Sequence, residues 1–180
     1  YGGLVNKNIV AQLQTRGGNA LGLTGADMDV VRSHKRKVKD VDYGFVGDVD
    51  TVDGSRLADL IESGVVPVMA PLTHDGKGNI LNTNADTIAS ETAKALSAYY
   101  DVTLVYAFEK AGVLADSDDE GSVIRCLDKE KFEKYVADGT IAGGMLPKLE
   151  NAFAAIKAGV KRVAITRDTD LEVRCGTMIE

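Results

Sequence analysis

The sequence has no tryptophan, only two histidines and two cysteines, and an acidic excess that leaves a net charge of −6. With His34 and His74 as the only imidazoles, a histidine-rich metal centre is excluded. Cys126 and Cys175 match no CxxC pattern; two free thiols in a cytoplasmic chain are expected in preference to one bridge. The negative charge argues against a general nucleic-acid binder. Any phosphate ligand must then be held by locally placed donors, not by an overall field. No apolar run approaches the roughly 18 residues of a membrane span, and neither a signal peptide nor an internal repeat is legible. What is present is ordinary globular material: 44% hydrophobic and 27% charged residues in 180, enough for one domain with a real core.

The most informative stretch runs from Ile80 to Ser90, ILNTNADTIAS. A continuous apolar strand is expected before it, Val65 to Pro71. After it, Ala85, Ile88, Ala89, Thr92, Ala93 and Leu96 recur at helical spacing, predicting a helix that runs to about Tyr99. Asn82 and Asn84 fall where that helix begins and Asp86 falls in its first turn, where caps and acids are favoured. Capping alone explains one Asn and one Asp. Two amides and a carboxylate within five residues are more than a cap needs, and open α/β sheets bind ligands at this edge.

The rest of the chain alternates between the two periodicities. A helix is expected over 4–14, with Leu4, Ile9, Val10 and Leu13 on its apolar side, followed by a short buried strand at 19–24. The basic run from Arg32 to Lys39 reads as the solvated tip of a hairpin, although such a run can also serve nucleic acid. Val41 to Val49 reads as a strand, Ser55 to Ser63 as a helix capped by Ser55, and His74 to Asn79 as a turn between strands. The Gly76–Lys77–Gly78 run inside that turn lacks the GxxxxGK[ST] spacing of a phosphate loop. Strands are expected at 102–107, 160–165 and 176–179, helices over 128–137 and from Met145 onward, and an exposed acidic loop at 116–121. Leu149, Ala152, Phe153 and Ile156 form the apolar face of the last helix. Alternating helices and continuous apolar strands predict a three-layer α/β/α sandwich with a mainly parallel sheet and β-hairpin insertions.

Lys148 is the second signal. If Pro147 takes the first helical position, Lys148 lies in the first turn and faces the positive end of the helix dipole. That misplacement costs about 0.3–1 kcal/mol. It makes sense if an anion meets the lysine there, behind the Gly143–Gly144 pair; an exposed lysine swung into water is the alternative.

These segments also carry a resemblance. YGGLVNKNIVAQL, GLTGADMDVV, DYGFVGDV, GVVPVMAPL, LNTNADTIAS, the AGVL loop and GGMLPKLENAF together resemble the acylglutamate kinases of the amino acid kinase superfamily, from Tyr1 to about Val160. The resemblance implies an amino acid kinase-like domain over 1–180, with 1–80 ending the substrate-side part and 81–180 forming the nucleotide-side part. It implies transfer of phosphoryl from ATP, with Mg2+ carried by the nucleotide, to the side-chain carboxylate of N-acetyl- or N-succinyl-L-glutamate in arginine biosynthesis. Asn82, with Asn84 beside it, would hold the amino-acid substrate. Asp86 would orient catalytic lysines, and Lys148 would neutralise the transferring group. Glu109, Lys110, Ala111, Gly112, Val113 and Leu114, with Thr140, Ile141 and Ala142, would form the nucleotide loops. No protein-held metal, nucleic acid or membrane is implied, and a homo-oligomer is. Glu109 stands where the family usually shows Asp. Family members begin with a lysine-bearing strand, a glycine-rich loop and an arginine that lie upstream of Tyr1, so an incomplete site and exposed apolar surface are expected of the chain as written. The alternatives are another kinase of the superfamily, acting on aspartate, glutamate, carbamate or a nucleotide, or a non-catalytic nucleotide-binding fragment.

Overall fold

Asn6, an amide, is the one fully buried residue of the first helix, α1 (Leu4–Gln14). Its Nδ2 donates to the Val68 carbonyl at 2.8 Å, and the helix lies on the paired parallel strands β1 (Ala20–Leu23) and β4 (Val66–Met69). Gly22 makes this approach possible, because a Cβ there would come within 1.8 Å of Asn6 Oδ1. The helix bounds agree with the periodicity, but its buried side does not: Leu4 is 77% and Ile9 45% exposed. Of the expected apolar side only Val10 and Leu13 are half-buried, and a polar anchor fixes the helix to the sheet.

The computed structural model describes residues 1–38, 40–171 and 176–180, and its chain divides into two compact units, Tyr1–Tyr99 and Tyr100–Glu180. In the first unit a second sheet has the order β3-β2-β5-β6, formed by β2 (Val31–Lys35), β3 (Gly47–Val52), β5 (Leu72–His74) and β6 (Ile80–Asn82). Hairpins β2/β3 and β5/β6 are antiparallel, and β2 joins β5 in parallel. Helices α2 (Gly54–Glu62) and α3 (Ala85–Leu96) pack together around Val30, Val31, Leu57 and Ile88. They come close because residue 54 is glycine; a Cβ would meet the Ala95 carbonyl oxygen at 2.6 Å.

In the second unit the order is β7-β9-β10-β8, from β7 (Thr103–Phe108), β8 (Cys126–Leu127), β9 (Arg162–Arg167) and β10 (Thr177–Ile179). Helix α4 (Lys129–Ala137) precedes α5 (Met145–Lys157), and α5 packs on β9 and β10. Leu149, Ala152, Ala155, Val163, Ala164 and Ile165 are fully buried. Each large aliphatic side chain so enclosed contributes roughly 1.5–3 kcal/mol. Four of the seven strand pairs among the described residues are parallel, so the expected α/β fold with a mainly parallel sheet and hairpin insertions stands.

Several local expectations change. The strand read over 41–49 begins only at Gly47 and continues to Val52, because 40–46 is the loop of the β2/β3 hairpin. Arg32, Lys35 and Arg36 of the basic run pair with Asp29, Asp42 and Asp48, and His34 hydrogen-bonds Asp50 at 2.6 Å. These four side chains are paired within the hairpin and its approaches. Asp53, not Ser55, caps α2 by accepting the Arg56 N–H at 3.0 Å. Helix α3 stops at Leu96. Strand β9 starts at Arg162, and β8 is too short to have left a pattern. Cys126 is a free thiol, with its pKa raised first by the hydrogen bond it donates to the Glu180 carboxylate; Cys175 lies outside the described residues. Among the described residues no helix is long and apolar enough to cross a membrane.

Candidate functional site

The two helix mouths singled out by the sequence fall in different units, and each is described by itself. In the first, Asn82 closes β6, pairing with Leu72 while its N–H donates to the Phe45 carbonyl at 2.7 Å. Thr83 turns inward, 4% exposed, and its hydroxyl meets that of Thr73 at 3.0 Å. Asn84 leaves the strand at φ −63°, ψ 132° and caps α3, its Oδ1 accepting the Thr87 N–H at 3.1 Å. Asp86 sits half-buried in the first turn. The geometry divides the stretch: Asn84 is occupied as the cap, whereas the exposed Asn82 amide takes no part in it. Capping accounts for one of the two asparagines.

In the second unit, the chain leaving β7 is pinned from below. Gly112 is packed so tightly that a Cβ would lie 2.7 Å from Thr177 Oγ1, and that hydroxyl accepts the Val113 N–H at 2.8 Å. The Val113 carbonyl accepts the Ile124 N–H at 2.8 Å, and Leu114 bridges Val123. Lys110 Nζ donates to the Ser117 carbonyl at 3.0 Å. The second loop is set by α4: the Tyr135 carbonyl accepts the Ile141 N–H at 2.9 Å, and Asp138 accepts the Thr140 N–H at 3.0 Å. The Thr140 bonds hold the Asp138 carboxyl below its ordinary pKa.

Both loops line one cavity of about 300 Å³. Glu109, Lys110, Gly112, Val113 and Leu114 meet Thr140, Ile141 and Ala142 there, and Ala111 alone of the expected set is not on its wall. Phe108, Ser117 and Met145 complete the lining. Phe108 was read only as the start of the loop after a strand ending at Ala107, and Met145 only as the start of a helix; in the structure Phe108 closes β7. A largely apolar cleft with a few polar side chains in its lining suits a flat heterocycle bearing a charged tail.

Helix α5 starts two residues earlier than the Pro147 rule suggested. Gly144 is its N-cap with no side-chain cap bond, so Pro147 is the third helical residue and Lys148 the fourth. Proline costs no hydrogen bond there, since the first-turn N–H groups have no intrahelical partner. Lys148 is half-buried, with Nζ 5.8 Å from the centroid of the Tyr106 ring. It is not swung into water.

The amino acid kinase family profile matches residues 1–167. The chain belongs to the amino acid kinase family. It is a kinase, and two of its relatives of high identity carry the name acetylglutamate kinase. The chain is 70% identical over 180 residues to the acetylglutamate kinase of Bacteroides thetaiotaomicron, all of this chain against 70% of that protein. It is 60% identical over 179 residues to the acetylglutamate kinase of Parabacteroides distasonis, 99% of this chain against 70% of that one. A solved protein from Streptococcus mutans UA159 superposes at TM-score 0.82 with 29% identity, covering 98% of this chain and 67% of that one. The Giardia carbamate kinase, at TM-score 0.67 and 16% identity over 99% of this chain and 68% of its own, shares the fold alone.

Proposed function

We propose that the protein transfers the γ-phosphoryl group of MgATP to the side-chain carboxylate of N-acetyl-L-glutamate, a step of arginine biosynthesis. The observation that carries this reading is the second unit's loop-built cavity with Lys148 one turn from its wall residue Met145, in a chain 70% identical to an acetylglutamate kinase. Residues three apart share a helix face, so Lys148 stands beside the cavity that would take the base and its phosphates. Among the described residues no three His, Cys, Asp or Glu side chains gather to hold a metal, and Mg2+ enters on the nucleotide.

The acceptor carboxylate needs no general base. One of its oxygens attacks the γ-phosphorus, the bond to the β,γ-bridging oxygen breaks, and ADP leaves. Positioning and charge neutralisation supply the catalysis. In this reading Asn82 grips the acyl amino acid, Asp86 supplies the counter-charge that sets catalytic lysines in place, and Lys148 meets the charge on the transferring group. The first unit then serves the acceptor and the second the nucleotide.

Trapping the acyl phosphate with hydroxylamine tests this directly. Hydroxamate forms with MgATP and N-acetyl-L-glutamate and not with aspartate, glutamate or carbamate. Hydroxamate with N-succinyl-L-glutamate alone would replace the acceptor, and none with any acceptor from a chain extended by the family's upstream strand, loop and arginine would end the reading.

A further inference from the structure

We propose that Tyr106 is a positioning residue for Lys148, its buried ring fixing where the ammonium stands beside the cavity. The inference rests on the catalytic reading of Lys148. Tyr106 is 5% exposed on β7 and is held there by parallel pairing with Ile165 of β9, itself fully buried. Tyr106 and Phe108 project to the same face of the strand, since side chains two apart do so. Met145 and Lys148 likewise share a face of α5. Phe108 and Met145 both line the cavity. The two faces therefore meet there, and one step further along each lie Tyr106 and Lys148, with the ammonium 5.8 Å from the ring centroid. That is within the range at which the negative face of an aromatic ring attracts a cation.

Lysine has a flexible four-carbon stem and a point charge, so a lysine meant to meet a transferring phosphoryl group has to be held. A carboxylate partner would hold it and also cancel its charge. A ring attracts it without neutralising it, and the strand position supplies rigidity that a loop aromatic would lack. Packing alone does not call for the ring: Leu104, on the same face of β7, is 8% exposed with an aliphatic side chain.

Tyr106→Leu removes the ring, and Tyr106→Phe keeps it without the hydroxyl. Two readouts are taken on the whole protein: steady-state kinetics, and the NMR resonance of the Lys148 ε-methylene, assigned by its loss in Lys148→Ala. In the parent the ring current shifts that resonance upfield. Tyr106→Leu is expected to return it to the position of a solvated lysine and to lower kcat about tenfold with KM for MgATP unchanged. Tyr106→Phe restores both. The inference is overturned if Tyr106→Leu leaves the shift and kcat in place, or if Tyr106→Phe falls as far as Tyr106→Leu, which would assign the effect to the hydroxyl. Should the leucine variant not fold, Tyr106→Met fills the same space without a ring and gives the same comparison. Lys148→Ala separates the two levels: unchanged turnover in that variant rejects the catalytic reading itself, whereas a silent Tyr106→Leu beside an inactive Lys148→Ala rejects only this inference.

Discussion

Helices α3 and α5 begin in opposite ways. Helix α3 follows the rules of helix starts: Asn84 accepts the Thr87 N–H, and Asp86 stands in the first turn against the positive dipole end. Helix α5 breaks them. It starts at Gly144 with no side-chain cap, has no acid in its first turn, and places Lys148 in the fourth position. On the proposed reading the orderly mouth would hide function behind good local chemistry, because its cap and acid would be there in any stable helix. The disorderly one would expose it, because stability alone would not choose it. A rule broken at a well-packed element is therefore the stronger clue.

The largest effect that could break this contrast is on turnover. Lys148→Ala is expected to lower kcat by about 10²–10³-fold, the usual cost of removing one preorganised charge from a phosphoryl- or acyl-transfer site. Stability should barely move. The substitution relieves a dipole clash of about 0.3–1 kcal/mol and loses a cation–π contact of about 0.5–2 kcal/mol. A denaturant midpoint within error of the parent, beside collapsed hydroxamate formation, is the expected pair of results. A variant that lost stability and turnover together would make Lys148 a structural residue.

The next effect sharpens the reading of α3, where two asparagines two residues apart are assigned different work. Asn84→Ala leaves the first-turn N–H groups without their acceptor and should cost about 1 kcal/mol of stability by denaturant unfolding. Asn82→Ala, at an exposed strand end, should change stability by less than about 0.5 kcal/mol. In the proposed function it instead raises KM for the acceptor with the nucleotide KM unchanged. If the two variants exchanged these effects, the division of the stretch into cap and site would be reversed.

How far the sequence shows all this depends on whether a signal is local. Helix α1 was bounded correctly at Leu4 and Gln14, since its periodicity is local. Its buried face was not, because Asn6 is buried by an approach that Gly22 permits from another element. The cap of α2 moved from Ser55 to Asp53, which sits one residue before the first helical position and reaches the same first-turn N–H groups. The two loops over 109–114 and 140–142 were expected from resemblance, but their meeting at one cavity comes from Thr177 pinning one and Tyr135 the other. Neither contact has a sequence pattern. The Tyr106–Lys148 contact is likewise invisible before folding: in the sequence Tyr106 is only one more apolar residue of a continuous strand.

The smallest effect concerns acid. Asp29 is held down to about 2, first by the Arg32 guanidinium that hydrogen-bonds it at 2.7 Å and then by His74 at 2.8 Å. A carboxyl lowered in the folded state adds stability above its unfolded value near 3.8, and that contribution is lost as pH falls through about 2. The pair is largely exposed, so the gain is slight and screened by salt. Asp29→Asn is a fair probe because residue 29 has φ +56° and asparagine tolerates that conformation. Its melting temperature should match the parent near pH 2 and fall a little below it as pH rises past 4, with the gap narrowing at high salt. In the second unit Asp138 is also lowered, but by Thr140 bonds with no cation among the first causes. An Asp138→Asn gap should open in the same direction and respond far less to salt. Equal salt sensitivity in both units would show that the hairpin's ion pairs add nothing beyond ordinary carboxylate hydrogen bonds.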